Sequence, residues 1–391
     1  MEADANRCVL PAFGKGGVPV HSFRFSLRVR PVLALAALSA VAVALVAAGA
    51  VSGSTTKPTT AKAGPLVAVL WPENVTARWE QSDNPLFIKS IKKLVPGVTV
   101  DSLNALNDPA KQQAQAEAEL AKGAKVLVVA AIDGKAFATV VNKAAAQGVK
   151  VIAYDRLINS SKLGYYVSFN SVTVGKVEAG WMAKHMKKGA RIAIINGSPT
   201  DANAHFVNQG IHLVYDPLFK SGAATKVGEQ WTPGWDPPTA QREMEQILTK
   251  TNNGVDGVVS ANDGMAGGII AALKAQNLEG KVPTTGQDAS LQGVQNVIQG
   301  YQGVTAFKDF RLQAPAAAKI AAAIVNGKKP TNINGTIKAA GKSIPSVYLP
   351  VVAIDKTNVK LLVTNGWVKS QFGGLAKVCK GMPSVSICAT G

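Results

Sequence analysis

The sequence predicts an α/β protein of two doubly wound parallel-sheet lobes joined by a three-crossing hinge, and three observations carry that prediction. From Pro65 onward, short continuous apolar runs alternate with helix-like segments in nearly unbroken order, the pattern of parallel strands buried on both faces. The βα units run longer than the even repeats of an eightfold barrel, and residues 326–350 hold short β-like pieces but no strong helix. The composition, 47% hydrophobic and 6% aromatic over 391 residues, suits Ala-rich helices on Val/Ile strands and has room for two cores.

Residues 1–52 stand apart from that pattern. Arg24, Arg28 and Arg30 form a basic flank, Pro31 to Val51 carries no charge over a length that can span a bilayer, and Ala48-Gly49-Ala50 offers a small-residue cleavage site. The segment reads as a signal peptide, with an uncleaved membrane anchor as the competing reading. No cysteine follows it, so lipid attachment there is not expected. Residues 53–64 are a polar linker.

Strands are expected at 66–71, 98–103, 126–131, 149–154, 165–169, 191–195, 225–231, 256–260, 282–286 and 303–307. Asp108-Pro109 and Asp236-Pro237 each combine an N-cap with proline at the first helical position, ahead of helices 110–122 and 238–250. Phe137, Val140, Val141 and Ala144 stripe a helix over 135–147 that Gly148 ends. Val174, Val177, Trp181 and Met182 stripe the next, after residue 171. Strict alternation of this kind makes the sheets parallel, with right-handed crossovers.

The formal charge of +18 is spread as scattered lysines without an arginine-rich stripe or a helix-turn-helix, so nucleic acid is not an expected partner. Cys8 precedes the apolar run, whereas Cys379 and Cys388 share the tail 376–391; in an exported chain they are expected to pair. His21, His185, His205 and His212 show no ligand spacing, and no metal or cofactor is expected.

The chemistry gathers at the carboxyl ends of strands, where open α/β sheets bind ligands. The first strand runs into Trp71 and then Arg78-Trp79, and the run AYDR at 153–156 supplies Asp155 and Arg156. Later ends supply Asp201 and Asn203, Trp231 and Trp235, Asn262-Asp263, Gln287-Asp288 and Lys308. Carboxylates, amides and cations can accept from and donate to the hydroxyls of a polyol, while indole faces cover its C–H faces. Each residue also has a plainer reading. Asp155-Arg156 can close a βα turn as an ion pair, Asp201 and Asp263 can cap helices, Trp231 fits a core better than a site, and Arg78 and Lys308 can be solvated.

The stretches ARWEQ (77–81), VKVIAYDRLIN (149–159), GSPTDANA (197–204), GEQWTPGW (228–235), SANDGMAGG (260–268), GKVPTTGQDA (280–289) and VTAFK (304–308) agree in order and spacing with a known family. Over about 65–365 the chain resembles periplasmic binding proteins of sugar ABC transporters, the ribose/galactose-type cluster, and within it the branch that binds D-xylose. The resemblance implies the type I periplasmic binding protein fold and a monomer that hands a monosaccharide, D-xylose, to a membrane permease. It implies that Arg78, Asp155, Arg156, Asn203, Asn262, Asp288 and Lys308 hydrogen-bond the sugar and that Trp79 and Trp235 sandwich it. Three departures leave the exact sugar open: WPENVTA at 71–77 is less acidic than the family's segment, Ala202 replaces an Asn, and Phe307-Lys308-Asp309 replaces Tyr-Lys-Pro.

The expected division is one lobe of 65–169 with 289–335 and another of 170–288 with 336–375, with crossings near Asn170, Asp288 and 335–345. The protein is expected to be exported, to the periplasm or the outer face of the membrane. Competing readings are a membrane-tethered sugar sensor, a sugar-modifying hydrolase using Asp155 and Asp288 as paired carboxylates, and a transcriptional regulator. Arg156 and Lys308 would hold both carboxylates ionised, which suits binding better than general-acid work. The nucleophile-elbow, zinc-protease and dinucleotide motifs are missing from the sequence, so no enzyme is expected. A leader in place of a DNA-binding helix pair argues against the regulator.

Overall fold

The structure, a computed structural model, describes residues 64–382 and 387–388. The expected leader and most of the linker lie outside the described residues. The chain begins with β1 (Leu66–Trp71), α1 (Asn84–Leu94), β2 (Thr99–Asn104), α2 (Pro109–Ala121), β3 (Val126–Val129), α3 (Ala138–Ala146), β4 (Lys150–Tyr154) and β5 (Tyr165–Phe169). It continues with α4 (Ser171–His185), β6 (Ala190–Asn196), α5 (Ala202–Lys220), β7 (Ala224–Trp231), α6 (Pro237–Thr251) and β8 (Gly257–Ser260). Then come α7 (Asp263–Ala275), β9 (Thr284–Gln287), α8 (Leu291–Gln299), β10 (Gln302–Lys308) and α9 (Phe310–Val325). The last part holds β11 (Gly335–Ala339), β12 (Lys342–Leu349), β13 (Val351–Asp355), α10 (Leu361–Thr364), α11 (Trp367–Phe372) and α12 (Leu375–Val378).

These strands form two sheets, ordered β11-β12-β5-β4-β3-β1-β2 and β13-β10-β9-β8-β6-β7. Pairing is parallel throughout except β11 with β12 and β10 with β13. The order 2-1-3-4-5 thus occurs twice, once in β1–β5 and again in β6–β10, and in such sheets ligands sit where the order reverses. Both faces are buried, as the continuous apolar runs require. In β1, Val67 and Val69 face the core built with Phe87 and Ile91, while Ala68 and Leu70 face the one built with Leu120 and Val140. In β6, the consecutive Ile192, Ala193, Ile194 and Ile195 are all fully buried, with no polar residue alternating between them.

The capping signals act as read. Asp108 accepts from the N–H groups of Ala110 and Lys111, and Asp236 from that of Thr239. At α7 the roles differ from expectation: Asn262 is the N-cap, accepting from Met265 N, and Asp263 is the first helical residue. Asp263 turns inward instead, where it accepts from Ser290 N at 2.8 Å and Gln302 Nε2 at 2.7 Å.

Strand membership corrects the expected division. β10 pairs with β9 and β13 in the second sheet, whereas the sequence reading places 289–335 in the first lobe. β11 and β12 join β5 in the first sheet, whereas that reading places 336–375 in the second. The chain therefore changes sheets at Asn170, at Asp309 and at Pro350. The physical reason is pairing: β10 completes the parallel run of the second sheet, and α9 then packs back on α1 beneath the first. Cys379 and Cys388 lie at disulfide distance, S–S 2.01 Å and Cα–Cα 5.4 Å, with Val378 and Met382 in the core beside α8.

Candidate functional site

Nine residues anticipated from the strand ends, Arg78, Trp79, Asp155, Arg156, Asn203, Trp235, Asn262, Asp288 and Lys308, line one pocket between the carboxyl ends of the two sheets. Thr76, Asp201 and Gln287 complete its lining. All nine are at most 7% exposed, which removes the solvated readings of Arg78 and Lys308. Trp231 packs against the second core and on His205, as a core aromatic should.

Local backbone aims these side chains. Asp155 (φ 63°), Trp235 (φ 58°) and Asp288 (φ 95°) all have positive φ, an uncommon state for residues with a side chain and one that clusters at ligand clamps. Trp235 is set by the turn Pro233–Trp235, in which Gly234 takes φ 67°. Its ring lies against Gly197, where an added Cβ would come within 2.2 Å of it, so a side chain at 197 would displace the indole.

Arg78 is the centre of the charge network. Its Nε and Nη2 donate to both oxygens of Asp83 at 2.9 and 2.8 Å, its Nη1 to Asp155 Oδ2 at 2.8 Å, and Nη2 also to Gln313 Oε1 at 2.6 Å. Its guanidinium lies 4.4 Å from the Trp79 ring and 3.8 Å from Phe310. Tyr154 donates its hydroxyl to Asp83. Arg156 makes a separate pair of contacts, to Asp201 at 2.9 Å and Glu73 at 3.2 Å. Glu73 also accepts from Trp79 Nε1 at 2.6 Å, and Asp201 from Trp235 Nε1 at 3.1 Å, so each indole is held by a carboxylate that also holds Arg156. Asp201 meanwhile caps α5, so its plainer reading holds alongside this second role.

Asp155 accepts from Asn203 Nδ2 at 2.9 Å and Gln313 Nε2 at 3.2 Å, and its backbone carbonyl accepts from Tyr166 and Ser168 hydroxyls. Burial alone would raise its carboxyl. The charges of Arg78, Lys308 and Arg156, with the Gln313 amide, outweigh burial and hold it well below the usual carboxylate range. Burial opposes the charge on Arg78, yet Asp155, Asp83 and Asp288 raise it well above its ordinary value. Asp83 and Asp201 are raised, burial in each case exceeding the arginine that faces it. Lys308 Nζ lies 2.9 Å from Asp288 Oδ1, but off the line of a hydrogen bond, so this buried oxygen has no aligned protein donor.

Such a site can orient hydroxyls. Asp155 and Arg78 stay ionised across ordinary pH, so the Asp155 carboxyl, held by Arg78, is not poised as a general acid. Sequence reasoning missed Glu73, Asp83 and Gln313. Glu73 follows β1 by two residues and was legible by the strand-end rule. Asp83 reaches Arg78 only because residues 79–83 form a π-helical turn, and Gln313 arrives from α9. Neither has a local signature.

Comparison with known proteins gives a consistent result. The periplasmic binding protein domain family matches residues 67–329. The chain is 38% identical over 283 residues to the D-xylose-binding periplasmic protein of Escherichia coli, covering 72% of this chain and 84% of that one. It is 37% identical to the multiple sugar-binding periplasmic receptor ChvE of Rhizobium radiobacter, covering 78% and 91%. Among solved structures it is similar to a carbohydrate transporter solute-binding protein from Chloroflexus aurantiacus in complex with D-glucose. That match has TM-score 0.72, 31% identity, and coverage of 77% of this chain and 96% of that one.

Proposed function

The chain belongs to the periplasmic binding protein family, and on that premise we propose that it captures D-xylose between its two lobes and delivers it to the permease of an ABC transporter. The observation that carries this reading is the convergence of Arg78, Asp155 and Arg156 from the first lobe with Asn203, Trp235, Asn262, Asp288 and Lys308 from the second on one buried pocket. In the proposed complex, the charged and amide groups hold the hydroxyls and the faces of Trp79 and Trp235 cover the ring. Asn262 spends its Oδ1 on the α7 cap and keeps its amide N–H groups for the sugar. The buried Asp288 Oδ1 takes a sugar hydroxyl as its donor.

The crossings at Asn170, Asp309 and Pro350 act as the hinge, and closure removes water from the charged hydrogen bonds and so strengthens them. The choice of D-xylose is supported by 38% and 37% identity to two D-xylose-binding periplasmic proteins, beside 37% to a multiple sugar-binding receptor. The protein works outside the cytoplasmic membrane; among the described residues no helix is long and apolar enough to cross it.

The test is calorimetric titration with D-xylose, D-glucose, D-ribose and L-arabinose. D-xylose should bind one to one with a dissociation constant near a micromolar, about 8 kcal/mol, and be recovered unchanged. Saturable binding of another aldose but not D-xylose would overturn the sugar assignment. Binding of none would overturn the function.

A further inference from the structure

A second cavity of about 680 Å³ adjoins the pocket just described, which encloses only about 20 Å³ with the lobes as they stand and must open to take a ring, and shares Thr76, Arg78, Trp235, Asn262 and Asp288 with it. The larger volume lies within the range of about 300–1,000 Å³ that holds drug-sized ligands, more than one sugar ring fills. Its walls differ in chemistry from the inner pocket. Apart from the shared residues, Asp263 and Lys377, the lining is uncharged: the amides of Gln81, Gln241, Gln292 and Gln371, with Pro237 and Phe310 as apolar walls. Amides donate and accept at once, as sugar hydroxyls do, and flat apolar side chains match the C–H face of a pyranose. Among the described residues, neither Gln81 nor Gln292 makes a side-chain hydrogen bond, although Gln371 accepts one from Ser82. The first turn of α7 is open where it lines the outer cavity. A Cβ on Gly264 would meet nothing nearer than Asn262 Oδ1 and Pro237 Cγ, each 3.7 Å away.

We propose that this outer cavity is a second sugar subsite, so that the protein accepts a disaccharide whose first ring occupies the charged inner pocket and whose glycosidically linked second ring lies among the glutamines. The proposal rests on the monosaccharide reading of the inner pocket and extends it to a ligand class. A charged extension is disfavoured, since Arg78 and Asp288 already face carboxylate and cation partners at the junction. A neutral ring exchanges water for amide hydrogen bonds without stranding a charge.

The probes are D-xylose and xylobiose, titrated into the full chain by calorimetry. Ala271→Trp fills the outer cavity from an exposed position on α7 that touches none of the inner residues named above, and Gln292→Ala removes one amide from it. Wild type is expected to bind both sugars. Ala271→Trp is expected to weaken xylobiose at least tenfold and leave D-xylose within twofold, and Gln292→Ala to weaken xylobiose alone by a smaller factor. D-xylose binding without xylobiose binding in wild type would overturn the subsite and leave the monosaccharide reading standing, as would equal effects on both sugars in both variants. Binding of neither sugar would overturn both readings together.

Discussion

Replacing Asp155 with alanine takes away the acceptor that Arg78, Asn203 and Gln313 share, and leaves Lys308, 3.9 Å away, without that counter-charge. The sequence alone leads to the expectation that the substitution spares the fold and weakens only binding. The structure changes that expectation, because Arg78 and Asp155 are only 5% and 4% exposed. Removing one partner of a buried ion pair costs about 3–5 kcal/mol, and at about 2–4 °C per kcal/mol for a lobe-sized unit the melting temperature should fall by roughly 6–20 °C. Asp155→Asn keeps the shape and separates loss of charge from loss of packing. The assay is thermal unfolding with and without D-xylose. At a hundredfold excess over its dissociation constant the sugar stabilises wild type by about 2.7 kcal/mol. A loss of about 2 kcal/mol in binding is roughly thirtyfold in affinity, which at the same sugar concentration leaves about 0.9 kcal/mol of stabilisation. A sugar-free melting temperature unchanged in Asp155→Ala would refute the buried network, and a full sugar-induced shift in Asp155→Asn would refute its part in binding.

Glu178 and Asp263 make the pH dependence testable. Burial raises both carboxyls, Glu178 well above its usual range with repulsion from Asp263 and Asp288 added and Lys308 opposing, and Asp263 to about 7. The native state then holds protons that the unfolded chain has released. The stability these groups contribute is full below their unfolded values and falls as pH rises, by up to about 1.4 kcal/mol per unit per group inside its window. Both oxygens of Glu178 lack a protein partner, so Glu178→Gln should raise the melting temperature at pH 7.5 and flatten its decline above pH 5; a steeper decline would contradict this. Asn262→Ser should keep the α7 cap and stay close to the wild-type melting temperature while weakening sugar binding through loss of the amide donors, whereas Asn262→Ala should also lose about 1 kcal/mol of stability; equal melting temperatures for the two variants would dismiss the cap. Cys388→Ser should destabilise the chain by about 2–3 kcal/mol or less, as for opening a short loop, and unchanged melting in reductant would show that the pair is not bonded.

Most strands and the helix starts were legible because their causes are local. Parallel strands buried on both faces write themselves as continuous apolar runs, and Asp-Pro at a helix start combines a cap with a fixed φ. The strand-end rule likewise located residues that surround one pocket, since a doubly wound sheet delivers every strand's carboxyl end to the same edge. The capping role at α7 falls one residue from where the sequence suggests because Asn262 and Asp263 are chemically alike as caps; what separates them is the inward fit of Asp263 against Ser290 and Gln302.

By itself, then, the sequence determined the α/β class, the repeated strand order's raw material and the identity of nine of the twelve residues that line the pocket. Tertiary structure alone decided that β10 pairs in the second sheet and that the crossings fall at Asp309 and Pro350, because strand partners are chosen by long-range hydrogen bonding and not by local composition. It also decided that Asp83 and Gln313 support Arg78. A buried guanidinium must satisfy its donors wherever acceptors can be brought, and one of those acceptors comes from 235 residues away along the chain.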